Sequence, residues 1–191
     1  MEADWEFEVG GEAPVIEVRW PGFVDLRLHP ERTAELAEAV ELPALARALK
    51  TMNAPQSPVW TSKCDVWPIV RPAELDPDEL DAPPESAAYA TGCYIDILAR
   101  TDRAWDLPAK AVDYCKNVCT VLRAVELRCC RLDLIIRSAI ADETPLDASR
   151  TDLGITAYIT TCGSSRENAA DTLQAGLSAF ARVLCGQSTL E

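Results

Sequence analysis

The stretch from Cys162 to Arg166 carries the residue types of an anion site. It leads from the end of a predicted strand into the start of a predicted helix, where free backbone N–H groups and the positive end of the helix dipole attract anions. Such a position could also give Cys162 thiolate character. We therefore predict an anion site or a reactive thiol at Cys162, Ser164, Ser165 and Arg166. The alternative is ordinary capping of the helix by Ser164.

Motif spacing excludes several familiar kinds of site. Arg166 lies four positions after Cys162, whereas the loop of cysteine phosphatases places its arginine further along the chain. Neither the Walker A pattern nor the dinucleotide-binding glycine pattern occurs. His29 is the one histidine of the sequence, so a Ser-His-Asp or Cys-His catalytic set would have to use it. A zinc site built from two histidines is impossible within one such chain.

The chain contains eight cysteines, which raises the question of metal binding. Cys115 and Cys119 are one helical turn apart, so their sulfurs could converge, but no Cys-x-x-Cys pair occurs. Cys115 also falls within an apolar stripe, where cysteine behaves as a small hydrophobic residue. We therefore predict core cysteines, with no metal and no cofactor. The sequence leaves the redox state of the cysteines open.

A second candidate site follows from strand periodicity. Side chains alternate between the two faces of a strand, so the polar positions of several strands should share the face that points away from the helices. Long charged side chains interleaved with tyrosines can form hydrogen bonds and ion pairs with a ligand. The alternatives are a solvated face laced with weak salt bridges, or a face buried in a homodimer. The predicted binding residues are Lys63, Asp65, Tyr94, Asp96, Arg131, Asp133, Arg137 and Tyr158.

The elements that must position these residues are clearest in the second half of the chain. Alternation of apolar and polar residues predicts strands at 93–97, 130–136 and 155–159. Apolar residues at spacings of three and four predict helices at 111–125 and 173–184.

The ends of these helices also carry local signals. Asp106 can cap the first of them. Ser164 and Glu167 match a capping box at the start of the second, and Gly186 stands where a left-handed C-cap belongs.

The first half of the chain is less regular. Residues 1–13 are acidic, and we predict a flexible arm there, with a short edge strand as the alternative. Residues 15–28 alternate around Pro21-Gly22 and predict either a hairpin or one bent strand. Prolines at 30 and 43 predict two helix starts, and 59–67 alternates as a strand. Four prolines and six carboxylates make 71–86 a long acidic loop with one helical turn.

This order of elements predicts one α+β domain over residues 1–191. Two strand–helix–strand units in tandem favour a ferredoxin-like, split β-α-β antiparallel sheet of about five strands, with the helices packed on one face. The length suits a single domain with a sizeable core.

Charge restricts the partners. The 31 acidic residues outnumber the 18 basic ones, giving a net charge of -13. Such a surface repels phosphate backbones and anionic lipid headgroups, so we expect no nucleic acid and no membrane partner. The first residues lack a basic segment followed by an apolar run, and no apolar stretch reaches the length of a membrane span. We therefore expect a cytoplasmic protein.

Three functional hypotheses follow. The first is a non-enzymatic binding or interaction module that uses the polar sheet face, as a homodimer or with another protein or a small molecule. The second is an acidic dimeric chaperone for a client polypeptide, because the order of elements is similar to that of type III secretion chaperones; this is an analogy of fold without a shared motif. The third is a small enzyme that uses Cys162 or the Asp and Lys residues of the sheet face.

Overall fold

Strand-forming alternation builds a mixed sheet at the centre of the molecule. The computed structural model describes residues 1–18, 20–70, 75–101, 104–141 and 151–186, and six strands lie within these residues. Each long strand carries apolar side chains on one face and polar ones on the other, as its sequence requires. The strands are β1 (Glu2–Phe7), β2 (Ile16–Val18), β3 (Val59–Ile69), β4 (Tyr89–Ala99), β5 (Cys130–Ala141) and β6 (Thr151–Gly163).

The strand order is β1-β5-β6-β4-β3, and β2 pairs with the later part of β5. Strands β3 to β6 are joined by antiparallel pairing, but β1 and β2 both run parallel to β5. The α+β composition predicted from the sequence is confirmed. The wholly antiparallel sheet of about five strands is wrong, and the ferredoxin-like topology is not established. The physical reason is that residues 2–7, expected in a flexible arm over 1–13, join the sheet, and alternation carries no information about strand direction.

Helices cover one face of this sheet. They are α1 (Ala37–Glu41), α2 (Pro43–Asn53), α3 (Pro108–Arg123) and α4 (Arg166–Leu184), and a 3₁₀ turn over Pro30–Glu35 precedes α1. Their apolar stripes pack on the inward side chains of β4, β5 and β6, so that Ile95, Leu132 and Ile159 are fully buried. Burial of this continuous apolar surface is the main stabilising term of the fold. Within the described residues, no helix is both long enough and apolar enough to span a membrane.

Several element boundaries differ by a residue or two from those that the sequence predicts. Ser165, rather than Ser164, caps α4: its hydroxyl accepts a hydrogen bond from Asn168 N at 3.1 Å. Helix α3 begins at Pro108, and Asp106 instead forms an ion pair with Lys110 at 2.8 Å. Gly186 adopts the predicted left-handed conformation, with φ of 65°.

The described residues of the segment 15–28, all but residue 19, form neither a hairpin nor one bent strand. Three residues of this segment form β2, and turns follow in its described part. One of these turns includes Gly22, whose φ is 95°.

The face opposite the helices is covered at its two ends and open between them. At one end, Ile16 from β2 packs on Trp60, Leu98 and Ala139. At the other end, the described part of the acidic loop folds back, and a 3₁₀ turn over Asp78–Leu80 buries Leu80. Residues 71–74 of the predicted loop 71–86 lie outside the described residues. The two covers leave a polar central strip, which is where the predicted binding residues lie.

Candidate functional site

Cross-strand pairing assembles the predicted residues into a row. Asp65 faces Tyr94 across β3 and β4, Tyr94 faces Tyr158 across β4 and β6, and Asp133 faces Tyr158 across β5 and β6. The ring centroids of Tyr94 and Tyr158 are 6.0 Å apart, and those of Trp67 and Tyr94 are 6.2 Å apart. These spacings are those of interacting aromatic pairs. The row therefore forms a continuous aromatic strip between carboxylates.

A hydrogen-bonded network lies beside this row. Asp96 is only 7% exposed, and its Oδ1 accepts a hydrogen bond from the Thr156 hydroxyl at 2.7 Å. The Nη1 atom of Arg137 donates to Thr156 Oγ1 and to Tyr158 Oη, each at 3.3 Å. The same guanidinium donates to Glu8 Oε2 at 2.9 and 3.1 Å. Arg137 thus links a buried carboxylate, an aromatic hydroxyl and an acid that follows β1.

Burial dominates the electrostatics of this network. It raises the pKa of Asp96, and the Thr156 hydrogen bond and the charges of Arg137 and Lys63 only partly oppose this. Burial also raises the pKa of Tyr94 to about 12, with Asp96 as the next contributor. A carboxylate that keeps its proton more readily than usual is a common feature of functional sites, although structural networks show it as well.

A groove opens on the other side of Tyr158. It has a volume of about 390 Å³ and lies between β5, β6 and the turn over Asp78–Leu80. Three carboxylates and one guanidinium line it, together with aliphatic and aromatic surface. The lining residues are Glu6, Leu75, Glu79, Leu80, Arg131, Asp133, Ile135, Tyr158 and Thr160.

The guanidinium of the groove is already engaged. Arg131 Nε donates to both oxygens of Asp133, at 2.9 and 3.0 Å, and Arg131 Nη1 lies 3.6 Å from Glu79 Oε2. Burial raises the pKa of Asp133 above its usual value, and the neighbouring Arg131 only partly opposes this. Because this cation is shared between two acids, the lining retains an excess of negative charge.

Lys63 lies apart from the row. The pairing of β3 with β4 shifts register between Thr61 and Cys64. At this irregularity the Lys63 ammonium turns toward β2 and lies 3.2 Å from Glu17 Oε2. A bulge of this kind re-aims a side chain without leaving a mark in the alternation.

Sequence reasoning missed part of the site. Thr156, Thr160 and Ile135 share the parity of predicted residues, so alternation could have found them. Glu6 and Glu8 could not be found in this way, because their place depends on the parallel pairing of β1 with β5. Nothing in the sequence signals that Leu80 folds back over the sheet.

At the second predicted site, the two serines form hydrogen bonds within the start of helix α4. Cys162 is 1% exposed, and burial raises its pKa to about 11. Ser164 and Ser165 both donate to Asn168 Oδ1 at 2.9 Å. A Cβ on Gly163 would lie 2.6 Å from Ala169 N, so strand and helix approach closely. Arg166 is the first residue of α4. An anion site or reactive thiol at this junction stays a prediction, and the burial of Cys162 argues against the thiol.

Comparisons of this chain with family models, with curated proteins and with solved structures gave no match. The chemistry of the site therefore rests on its own residues. Among the residues that the structure describes, no group of three or more histidine, cysteine, aspartate or glutamate side chains is placed to hold a metal ion.

Proposed function

We propose that this protein is a non-enzymatic binding module, and that the groove beside Tyr158 holds a ligand with a cationic group next to an apolar part. The observation that carries the proposal is the composition of the groove lining, in which three carboxylates and one guanidinium lie beside half-buried aromatic and aliphatic side chains. A groove of about 390 Å³ is in the size range of sites for small ligands or single side chains. The proposal includes a cytoplasmic location for the protein.

The charges of the groove favour an ammonium or guanidinium over an anion. Arg131 is held by Asp133 and Glu79, so an incoming anion would have to displace those partners. An incoming cation would instead relieve the repulsion among Glu6, Glu79 and Asp133. Tyr158 lines the groove, so its ring can contact the aliphatic stem of a cation; the guanidinium of Arg137 already lies 5.7 Å from the centroid of this ring.

Apolar side chains of the groove lining would contact the apolar part of the ligand. The turn over Asp78–Leu80, called the wall turn from here on, contributes Leu80, which is 2% exposed. Ile135 and Leu75 are half-buried in the same lining. A lysine or arginine side chain of a partner polypeptide, or a free amine with a hydrocarbon group, satisfies both requirements. The chaperone hypothesis is the polypeptide version of this proposal.

Asp96 acts as a positioning residue in this scheme. Its carboxylate accepts a hydrogen bond from Thr156, and Arg137 donates to both Thr156 and Tyr158. The network therefore fixes the tyrosine ring that borders the groove. Locking a contact residue in this way reduces the entropy that binding must overcome.

The experiment titrates two cationic probes into ¹⁵N-labelled protein and follows the amide signals of Asp133, Ile135 and Tyr158. The probes are 2-phenylethylamine and an acetylated, amidated Phe-Lys dipeptide; 3-phenylpropionate is the anionic control. We expect both cations, but not the anion, to shift these signals. A preference for the dipeptide indicates a polypeptide ligand, and a preference for the amine indicates a small molecule.

Two variants test the role of charge. Asp133→Asn removes one carboxylate from the groove, and we expect affinity to fall about tenfold, which corresponds to about 1.4 kcal/mol. Glu85→Gln is the matched control, because it removes the same charge at an exposed position of the loop that walls the groove, outside the lining. Equal losses in the two variants, or equal binding of 3-phenylpropionate, would contradict the proposal.

A further inference from the structure

Two cysteines face each other where β5 begins and β6 ends. Cys162 N donates to Cys129 O at 3.0 Å, which continues the register that pairs Cys130 with Thr161. Directly opposed residues of a hydrogen-bonded antiparallel pair have Cα atoms about 5.5 Å apart. That separation lies within the range that a disulfide can bridge, about 4.4–6.8 Å.

The side chains of this pair point the same way. Cys130 packs into the core on the helix side, whereas Cys129, its neighbour in sequence, packs against the small cluster on the opposite face. Cys162 belongs to the same cluster, which lies under the wall turn. Cys129 also contributes to raising the pKa of the Cys162 thiol, as expected of two neighbouring side chains. The two side chains are therefore neighbours on one face of the sheet.

The backbone of Cys129 is unusual. Its φ is 60°, in the left-handed region that residues with a side chain seldom adopt. Such a conformation is strained and persists where the surrounding structure holds it, often at functional positions. Here it places the Cys129 side chain against Cys162.

We propose that Cys129 and Cys162 form a reversible disulfide when the protein meets a hydroperoxide. Cys129 is half-buried and Cys162 is 1% exposed, so the oxidant reaches Cys129 first. The Cys129 thiolate attacks one peroxide oxygen, the O–O bond breaks, and Cys129 becomes a sulfenic acid while an alcohol or water leaves. The Cys162 sulfur then attacks the Cys129 sulfur, its proton goes to the departing hydroxide, and water is released.

The overall step is balanced. Two thiols and one hydroperoxide give one disulfide, one water and one alcohol or second water; the cysteines lose two electrons and two protons. The closeness of the two side chains favours this second step over further oxidation of the sulfenic acid, because the two groups react within one molecule. Thiol reductants of a reducing compartment would reverse it, as expected of a redox-responsive pair.

This inference does not depend on the ligand of the groove. The pair does lie under the turn that walls the groove, since Cys162 packs with Leu80 and Ala82. Oxidation would therefore alter the packing beneath that wall.

The test exposes the folded full chain to hydrogen peroxide in slight excess and measures intact mass and a peptide map. We expect a loss of two hydrogens, reversed by dithiothreitol, and a cross-linked peptide whose fragments assign the link to Cys129 rather than to Cys130. Cys64→Ser is the matched control, because Cys64 is also half-buried; it should oxidise as the wild type does.

Variants of the pair make the result decisive. We expect Cys129→Ser to lose no hydrogens, and Cys162→Ala to accumulate a sulfenic acid at Cys129 that dimedone traps. A wild-type link between any other cysteines, such as Cys115 and Cys119, would overturn the proposal. So would an unchanged loss of two hydrogens in Cys129→Ser. The wild-type peptide map identifies the linked cysteines even if a variant fails to fold.

Discussion

Replacing Arg137 with alanine should destabilise the protein mainly because it leaves Asp96 buried without its nearest favourable charge. The Arg137 side chain is 12% exposed, and its guanidinium donates to Glu8, Thr156 and Tyr158. Glu8 is 43% exposed, so that ion pair contributes at most about 1 kcal/mol. Removing one partner of a buried charge costs about 3–5 kcal/mol, and Asp96 retains its Thr156 hydrogen bond. We therefore expect a loss of about 3 kcal/mol at pH 7.5.

A double-mutant cycle separates the charge from the packing. In the background of Asp96→Asn, where no buried charge remains at this position, Arg137→Ala should cost only about 1–1.5 kcal/mol. The coupling between the two positions is then about 1.5–2 kcal/mol. Urea unfolding followed by tryptophan fluorescence measures each corner of the cycle. Arg128→Ala is the control, because Arg128 forms an exposed ion pair with Asp81 at 3.2 Å, and its loss should cost less than about 1 kcal/mol.

The dependence on pH has a defined sign. Burial raises the pKa of Asp96 above its value in the unfolded chain, so the folded state binds the Asp96 proton more tightly. The contribution of Asp96 to the free energy of unfolding therefore falls as pH rises from the unfolded pKa through the folded one. Loss of Arg137 raises the pKa further and enlarges that fall, so the cost of Arg137→Ala should grow as pH rises above the unfolded pKa of Asp96. Equal losses with and without Asp96, at every pH, would refute this account of the network.

Three further predictions concern residues around the site. Arg100→Ala should lower the free energy of unfolding by about 2–4 kcal/mol, since its guanidinium donates to three backbone carbonyls at and beyond the end of α2 at 2.8–3.0 Å; a urea midpoint unchanged from the wild type would contradict this. Gly92→Ala should displace Trp67, whose ring lies 2.7 Å from the added Cβ, and cost about 1–3 kcal/mol; the measurement is tryptophan emission with urea unfolding, and an unaltered spectrum would contradict the expected clash. Iodoacetamide at pH 7 should modify Cys162 more slowly than half-buried Cys185, because Cys162 is buried and its pKa is raised to about 11; faster modification of Cys162 would restore the reactive-thiol hypothesis.

The sequence predicted the face to which each side chain of a strand points better than it predicted which strands pair with each other. Period-two alternation places Asp96 and Tyr158 on the face away from the helices because a strand has no other way to bury its apolar side chains. Pairing between β1 and β5 leaves no comparable signal, since it depends on contacts between distant parts of the chain. The groove wall escaped prediction for the same reason. Turn chemistry predicts the 3₁₀ turn at Asp78–Leu80, but not the surface on which it folds.

The N-cap of α4 shows a smaller limit of prediction from sequence. Ser164 and Ser165 are both good N-cap residues, and a capping box supports the first of them. The structure uses Ser165 because the close approach of Gly163 to Ala169 fixes where the helix can begin. Local propensity thus finds the helix start to within one residue, and packing selects the residue.

The parallel pairing of β1 with β5 has a consequence for biosynthesis. A ribosome releases Glu2–Phe7 long before their partner strand, Cys130–Ala141, and Arg123, which donates to Ala3 O at 2.8 Å, also comes late. Until translation reaches that point, Trp5 and Phe7 have no sheet to join, so β1 cannot nucleate the fold and must dock near the end of folding. Pulse-labelled hydrogen exchange should therefore protect the amides of the β5–β6 pair before those of β1. Simultaneous protection would show that the long-range pairing forms with the nucleus instead.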